Sequence, residues 1–211
     1  MNNKFGYADT EIKLLNKLNS PKKIQNFLDT LKINFEENGE TVMSPRFVIK
    51  TKKAHCMEGA LLAAAALEFH GHRPLLVDLK AKKPDYDHVL AVYRQFGCFG
   101  SITKTNHAIL RYREPVYKSV RELVMSYFHE YVFDNGKKTL REYSGLFDLK
   151  FFNYLEWRTS GQDLFEIPHY LDKIKHYRIL NKKQLGNLRK ADPIELKALE
   201  LIDYKFEHTK F

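Results

Sequence analysis

The chain is poor in cysteine and contains no long apolar run. Cys56 and Cys98 are its two cysteines among 211 residues, and no stretch of eighteen or more residues is entirely apolar. A transmembrane helix needs about 20 predominantly apolar residues, so no membrane span is predicted. Met1 and the residues that follow it lack the apolar core of a secretory signal. We therefore expect a cytoplasmic protein with two reduced thiols.

Internal repeats and low-complexity tracts are also missing, and the 44% hydrophobic fraction describes a globular protein. The net charge of +9 would suit a nucleic acid or an anionic surface as a partner. However, the 35 basic residues are spread along the chain among 26 acidic ones, which is typical of solvated faces. A basic aromatic group offers the other nucleic-acid hypothesis, but its helical spacing favours core and rim positions: Tyr112, Tyr117, Tyr127 and Tyr131 with Arg111, Arg113 and Arg121. We do not expect a nucleic-acid or membrane partner.

Two helix start signals occur in the N-terminal segment. Ser20 is a good N-cap residue before Pro21, and apolar residues then recur at helical spacing, which predicts a helix over residues 21–35. Ser44 and Pro45 repeat the signal and predict a short helix through about Lys50.

The central stretch runs from Ala54 through His55, Cys56 and Glu58 into an alanine-rich helix. A helix that is apolar on all sides is normally buried, and Gly71 and Pro74 predict its end. Cys56 lies at the helix N-terminus, where the helix dipole favours thiolate over thiol. This position suits a nucleophile, although a cysteine on an apolar helix is often simply a small buried hydrophobic residue.

The segment after this helix predicts an antiparallel meander. Strands are expected over residues 75–79, 87–94 and 101–106, with a turn between the last two. A helix over 116–132 and an extended segment over 140–152 follow. Residues 1–160 are therefore interpreted as one α+β domain, and residues 161–211 as a helical C-terminal extension packed on it.

A thiol nucleophile needs a base, and the base needs a third group that orients it. His88, at the start of the second strand, is the candidate base. If the following turn is centred near Gly97, His88 faces Asn106, whose amide oxygen can accept the imidazole N–H. A slip in register would give this position to Thr105, Lys104 or Thr103.

These residues resemble the transglutaminase-like proteins. Cys56 at the head of a small-residue helix, the bend Gly71-His72-Arg73-Pro74 and the strand Leu75-Leu76-Val77 look like the cysteine segment of that family. The run from Asp87 to Tyr93 resembles its histidine strand, and the run from Phe99 to Asn106 resembles the strand that carries its third residue. The similarity covers roughly Pro45 to Leu110, and Thr103 stands where the family usually has an aspartate.

The resemblance implies a papain/transglutaminase-like core, in which a central Cys-headed helix packs on an antiparallel sheet, with N- and C-terminal helices added. It implies a Cys-His-Asp type triad, in which Cys56 and His88 would be the first two residues and Asn106 an amide substitute for the third. It also implies amide hydrolysis, deamidation or acyl transfer through a thioester on a protein or peptide-like amide. The alternative is a non-catalytic binding module on the same fold, with a basic surface for a protein or nucleic-acid partner.

No cofactor or metal is expected. The group of His55, His70, His72 and Cys56 contains residue types that bind zinc. However, the helix between its two halves separates them by roughly 20 Å at about 1.5 Å per residue. Near the thiol, Glu58 is interpreted as complementing the helix dipole, and His55 is a weaker candidate for tuning the thiol's surroundings.

Overall fold

A computed structural model describes residues 5–205. The α-helices in this range are α1 (Asp9–Lys17), α2 (Pro21–Asp29), α3 (Pro45–Thr51), α4 (Cys56–Phe69), α5 (Val120–Met125), α6 (Glu166–Lys173), α7 (Lys182–Gly186) and α8 (Pro193–Leu199), with a 3₁₀-helix at Leu149–Leu155. The strands are β1 (Lys32–Ile33), β2 (Lys53–Ala54), β3 (Leu75–Ala81), β4 (His88–Gln95), β5 (Cys98–Ile102), β6 (Arg113–Tyr117), β7 (Leu140–Ser144), β8 (Phe147–Asp148) and β9 (His176–Arg178).

The main sheet has the strand order β6-β5-β4-β3-β7-β9, and the short β8 also pairs with β3. Its pairings are antiparallel. β1 and β2 form a separate parallel pair. The predicted α+β class with an antiparallel sheet is confirmed.

Helix α4 is the centre of the packing. Its residues from Met57 to Glu68 are all buried, as expected for a helix without a polar face. It contacts β4, α2 and α3. Cys56, the first residue of α4, lies at one end of this buried helix.

Successive side chains of β3 and β4 point to opposite faces of the sheet, so part of the hydrophobic core lies on each face. Leu76, Val89 and Ala91 belong to the hydrophobic cluster that contains α4. Val77 and Leu90 belong to a second cluster, which contains the α5 residues Leu123 and Val124. The sheet is therefore covered by helices on both faces.

Helix α4 and the chain after β5 approach each other closely at Gly59. A Cβ added to Gly59 would overlap the Cβ of Lys104, whose side chain is 2% exposed. Only glycine leaves room for this contact one turn from Cys56.

Several predicted elements differ in their bounds. The start of α2 is confirmed, because Pro21 follows the N-cap Ser20, but the helix ends at Asp29 and β1 follows. The helix expected over 116–132 is the shorter α5, which is preceded by β6. Pro115 is tolerated in β6 because this strand is at the sheet edge.

The C-terminal segment adds a strand to the helices that the sequence predicts there. β9 pairs with β7 through His176, Tyr177 and Arg178. Three residues are too few for a recognisable strand pattern. Within the described range, no helix has both the length and the apolar character needed to cross a membrane.

Candidate active site

Cys56 is the first residue of α4, directly after the N-cap residue His55. Its side chain is partly exposed, and it forms no disulfide with Cys98, which is also partly exposed. The first N–H groups of a helix have no acceptor within the helix, so the thiol lies beside backbone donors and the positive end of the helix dipole.

Both ring nitrogens of His55 form hydrogen bonds. Nδ1 accepts a hydrogen bond from the Met57 N–H at 3.2 Å, and Nε2 donates to the carbonyl oxygen of Thr41 at 2.9 Å. Nε2 also lies 3.4 Å from Oε1 of Glu58 and 3.7 Å from Oε1 of Glu36. The imidazole therefore has two carboxylates near one edge.

Glu58 attaches the loop before α3 to the start of α4. Its fully buried carboxylate accepts hydrogen bonds from the His55 N–H at 3.0 Å, the Thr41 hydroxyl at 2.8 Å and the Met43 N–H at 3.0 Å. Asn34 donates to both of its oxygens. Glu58 therefore orders the segment whose Thr41 carbonyl holds the His55 ring, which is more than the dipole role predicted for it.

The Cys56 thiol is flanked by two imidazoles. Burial, the largest influence, raises its pKa, but hydrogen bonding and charge interactions with His55 and His88 outweigh burial and lower the pKa to about 5. Burial lowers the pKa of His55, whereas hydrogen bonding with Cys56 and the charges of Cys56 and Glu58 raise it, to about 9. Between these values the favoured state is a thiolate beside an imidazolium.

His88 is the first residue of β4 and is 6% exposed. Its Nε2 atom is buried without a hydrogen-bond partner among the described residues. The hydroxyl of Tyr131, which is 2% exposed, is also buried and unpartnered in that range. Burial, followed by the negative charge of Cys56, raises the pKa of Tyr131, so its hydroxyl stays protonated.

Asn106 does not contact His88. Its amide donates to the carbonyl of Tyr204 at 2.8 Å, and its oxygen accepts from the Tyr204 N–H at 2.9 Å. The described structure therefore brings Cys56 and His88 together and engages Asn106 with the C-terminal segment.

One reason is the register, in which Ala91 faces Ile102, so a longer β5 would place Thr105 rather than Asn106 opposite His88. The other is that β5 ends at Ile102, before the chain reaches the level of His88. The side-chain amide of Gln25 accepts from the N–H of Thr103 at 3.0 Å and donates to its carbonyl at 2.9 Å. These bonds replace the next pairing with β4. No pattern in the sequence indicates that a glutamine of α2 ends this strand.

The residues that a slipped register would offer also have other partners. The Thr103 hydroxyl donates to the Leu110 carbonyl, Lys104 Nζ donates to the Leu31 carbonyl, and the Thr105 hydroxyl accepts from the His107 N–H. None of these bonds involves His88. His55, by contrast, interacts directly with the Cys56 thiol. Its position immediately before Cys56 in the sequence was the signal that could have identified it as a site residue.

A polar hollow of about 280 Å³ lies next to His55. Glu36 and Thr41, which contact the His55 ring, are among its lining residues. His55 is therefore connected to this hollow through Glu36 and Thr41. The residues considered for zinc are not gathered here, since His70 donates to the Leu15 carbonyl near the other end of α4.

Comparison with protein-family models gives no match for this chain. Comparison with curated proteins gives no significant similarity. We therefore infer the function of this protein from the geometry of the site.

Proposed function

We propose that this protein is a transglutaminase-like thiol enzyme that attacks an amide carbonyl with Cys56. The observation that carries the proposal is the free Cys56 at the start of α4, a partly exposed residue whose pKa is lowered to about 5 between His55 and His88. Structural buried cysteines have no such surroundings, whereas reactive ones have partial exposure and nearby positive charge.

The chemistry is acyl transfer through a thioester. The thiolate of Cys56 bonds to the carbonyl carbon, and the carbonyl π electrons move to oxygen, where the helix N–H groups stabilise the negative charge. Collapse of this intermediate breaks the C–N bond, and the amine leaves with a proton from an imidazolium. Water or a second amine then attacks the thioester and restores the thiolate.

The order of the elements supports a papain-like core. A Cys-headed helix packs against β4, and β4 begins with the histidine and follows the helix after a single intervening strand. The substrate in this proposal is a protein or peptide-like amide, and the proposed location is the cytoplasm.

Alkylation tests the nucleophile without a known substrate. At about pH 6, iodoacetamide should modify Cys56 at least tenfold faster than Cys98, because a thiol with a pKa near 5 is mostly thiolate there. Peptide mass spectrometry measures the two rates. Cys98 is a matched control, since it is also free and partly exposed. Equal rates at the two cysteines would contradict a catalytic thiol.

Turnover tests the reaction class. Incorporation of a fluorescent primary amine into casein reports acyl transfer. Ammonia release from casein with blocked lysines, measured without an added amine, reports deamidation. Cys56→Ala should reduce either signal by a factor of a thousand or more, while Cys98→Ala should retain it.

The non-catalytic binding module has one observation in its favour, because no described residue accepts a hydrogen bond from Nε2 of His88. A triad base without an orienting group works poorly. This alternative predicts salt-sensitive binding of a protein or nucleic acid that survives Cys56→Ala. Loss of binding in that variant would count against it.

A further inference from the structure

The thiol has two histidines beside it, and their surroundings differ in charge. His55 has carboxylate oxygens of Glu58 and Glu36 at 3.4 and 3.7 Å from Nε2. His88 is 6% exposed, and no described carboxylate lies within ion-pair distance of its ring. The Cys56 thiolate lies beside both rings, but only His55 also has carboxylates near it, so the two rings are not equivalent as places for a proton.

The contacts of His55 also determine which nitrogen changes its protonation. Nε2 faces the Thr41 carbonyl, and a carbonyl can only accept, so Nε2 carries a hydrogen in both charge states. Nδ1 is therefore the nitrogen that gains or loses the proton. In the neutral ring it accepts from the Met57 N–H, and in the imidazolium it becomes a donor beside the helix start, where the sulfur of Cys56 lies.

We propose that His55 is a second catalytic imidazole: it holds the proton of Cys56 in the resting protein and gives it to the leaving amine, while His88 is the base of the second half-reaction. The inference rests on the proposed function. In the first half-reaction the S–C bond forms, the C–N bond breaks and the His55 proton moves to nitrogen. In the second, His88 takes a proton from the attacking water or amine as the S–C bond breaks. His88 then passes this proton to the released sulfur of Cys56, and His55 takes it from there, which restores the resting state.

The groups that face His55 support this division. Glu58 comes from its own helix, and Glu36 and the Thr41 carbonyl come from the loop before α3. Both carboxylates and the carbonyl favour the charged ring. The Cys56 thiolate adds a third negative charge, and the raised pKa of His55 agrees with these contacts.

Two substitutions of His55 remove its charge and can keep one of its hydrogen bonds each. His55→Asn keeps a preferred N-cap residue whose oxygen can accept from the Met57 N–H, and His55→Gln extends an amide donor toward the Thr41 carbonyl. Neither carries a charge. His88→Gln is the matched change at the other ring. All three are made in a Cys98→Ser background, so that thiolate absorbance reports Cys56 alone.

The measurement is the ultraviolet thiolate absorbance as a function of pH. With His55 in place, the midpoint of Cys56 ionisation should be at about pH 5. Both His55 variants should raise the midpoint by about two pH units or more and slow alkylation at about pH 6 by roughly ten- to a hundredfold, as the thiolate fraction falls. His88→Gln should raise the midpoint by less than either His55 variant does. A midpoint that follows His88→Gln instead would overturn the inference.

Histidine ring nitrogen spectra of the unsubstituted protein give a second measurement that does not depend on a His55 variant. Near neutral pH, His55 should be doubly protonated, and in a further comparison Cys56→Ser should lower the pH at which His55 loses its extra proton. A neutral His55 beside Cys56 would also overturn the inference. A low thiolate midpoint that His55→Asn leaves unchanged rejects only the role of His55, whereas the absence of any low midpoint rejects the proposed enzyme itself.

Discussion

At the scale of single residues, the site is a pair of opposite charges at the start of a helix. The pKa of Cys56 is lowered to about 5 and that of His55 is raised to about 9. Each value depends on the charge of the other residue, so the two titrate as a coupled pair. The same pair that makes the thiol reactive also links the stability of the protein to pH.

The signs of the two shifts predict the pH dependence of stability. Above about pH 5 the folded protein holds a thiolate, while the unfolded thiol stays protonated up to its ordinary value of 9.0. Stability should therefore rise with pH from about 5. His55 acts in the opposite direction between its unfolded value of 6.5 and about 9, because its folded form then binds more protons. The contribution of the pair should rise from about pH 5 to 6.5 and then change little up to about 9.

Urea unfolding at a series of pH values measures this contribution. The reference is the double variant His55→Asn/Cys56→Ser, which lacks both groups, and the difference in free energy of unfolding isolates the pair. A difference that decreases as the pH rises from 5 to 6.5 would contradict the predicted signs.

At the scale of elements, α4 positions the site because the chain after β5 packs directly against it. Gly59 gives the room for Lys104, and Lys104 reaches the Leu31 carbonyl after α2 with its Nζ at 2.6 Å. Glu58 holds the loop before α3 on the other side of the helix start. Cys56 therefore lies where three segments are joined by specific contacts.

Gly59→Ala should destabilise the protein by roughly 1–3 kcal/mol, because the new methyl group meets the Cβ of Lys104 and neither atom belongs to the flexible end of a side chain. Chemical denaturation measures the change. Gly186→Ala is the matched control, since Gly186 is also helical and nothing lies near its added Cβ. That control should change stability by about 1 kcal/mol or less, in the stabilising direction. Equal effects at the two positions would contradict the close contact.

At the scale of the whole molecule, a hydrogen bond to a buried carboxylate connects the C-terminal segment to the centre of the sheet. His176 of β9 donates from Nε2 to Asp78 of β3 at 3.0 Å, and both side chains are buried. Lys80 lies 3.2 Å from the same carboxylate. Asn106 adds a second connection through Tyr204. The residue predicted to orient the base instead holds the last described residues against the chain after β5.

His176→Ala should reduce the free energy of unfolding by roughly 2–3 kcal/mol. Losing a hydrogen bond to a charged group typically costs about 1.5–3 kcal/mol, and Lys80 still compensates part of the Asp78 charge. Proteolysis after residue 160 should become faster in the variant. His129→Ala changes an exposed imidazole and should stay within about 0.5 kcal/mol. A similar loss in both variants would show that the buried pair is not the cause.

The sequence by itself determined the elements whose signals are local. An apolar helix headed by Cys56, the start of α2 at Pro21 and the strand that begins near His88 all follow from periodicity and capping residues. Tertiary structure decided the rest, because the deciding contacts join distant residues. The side chain of Gln25 ends β5 at Ile102, and the register of β5 on β4 would in any case bring Thr105 rather than Asn106 opposite His88. The Thr41 carbonyl and the carboxylates of Glu36 and Glu58 make His55 the charged neighbour of the thiol, and no periodic pattern records contacts of this kind.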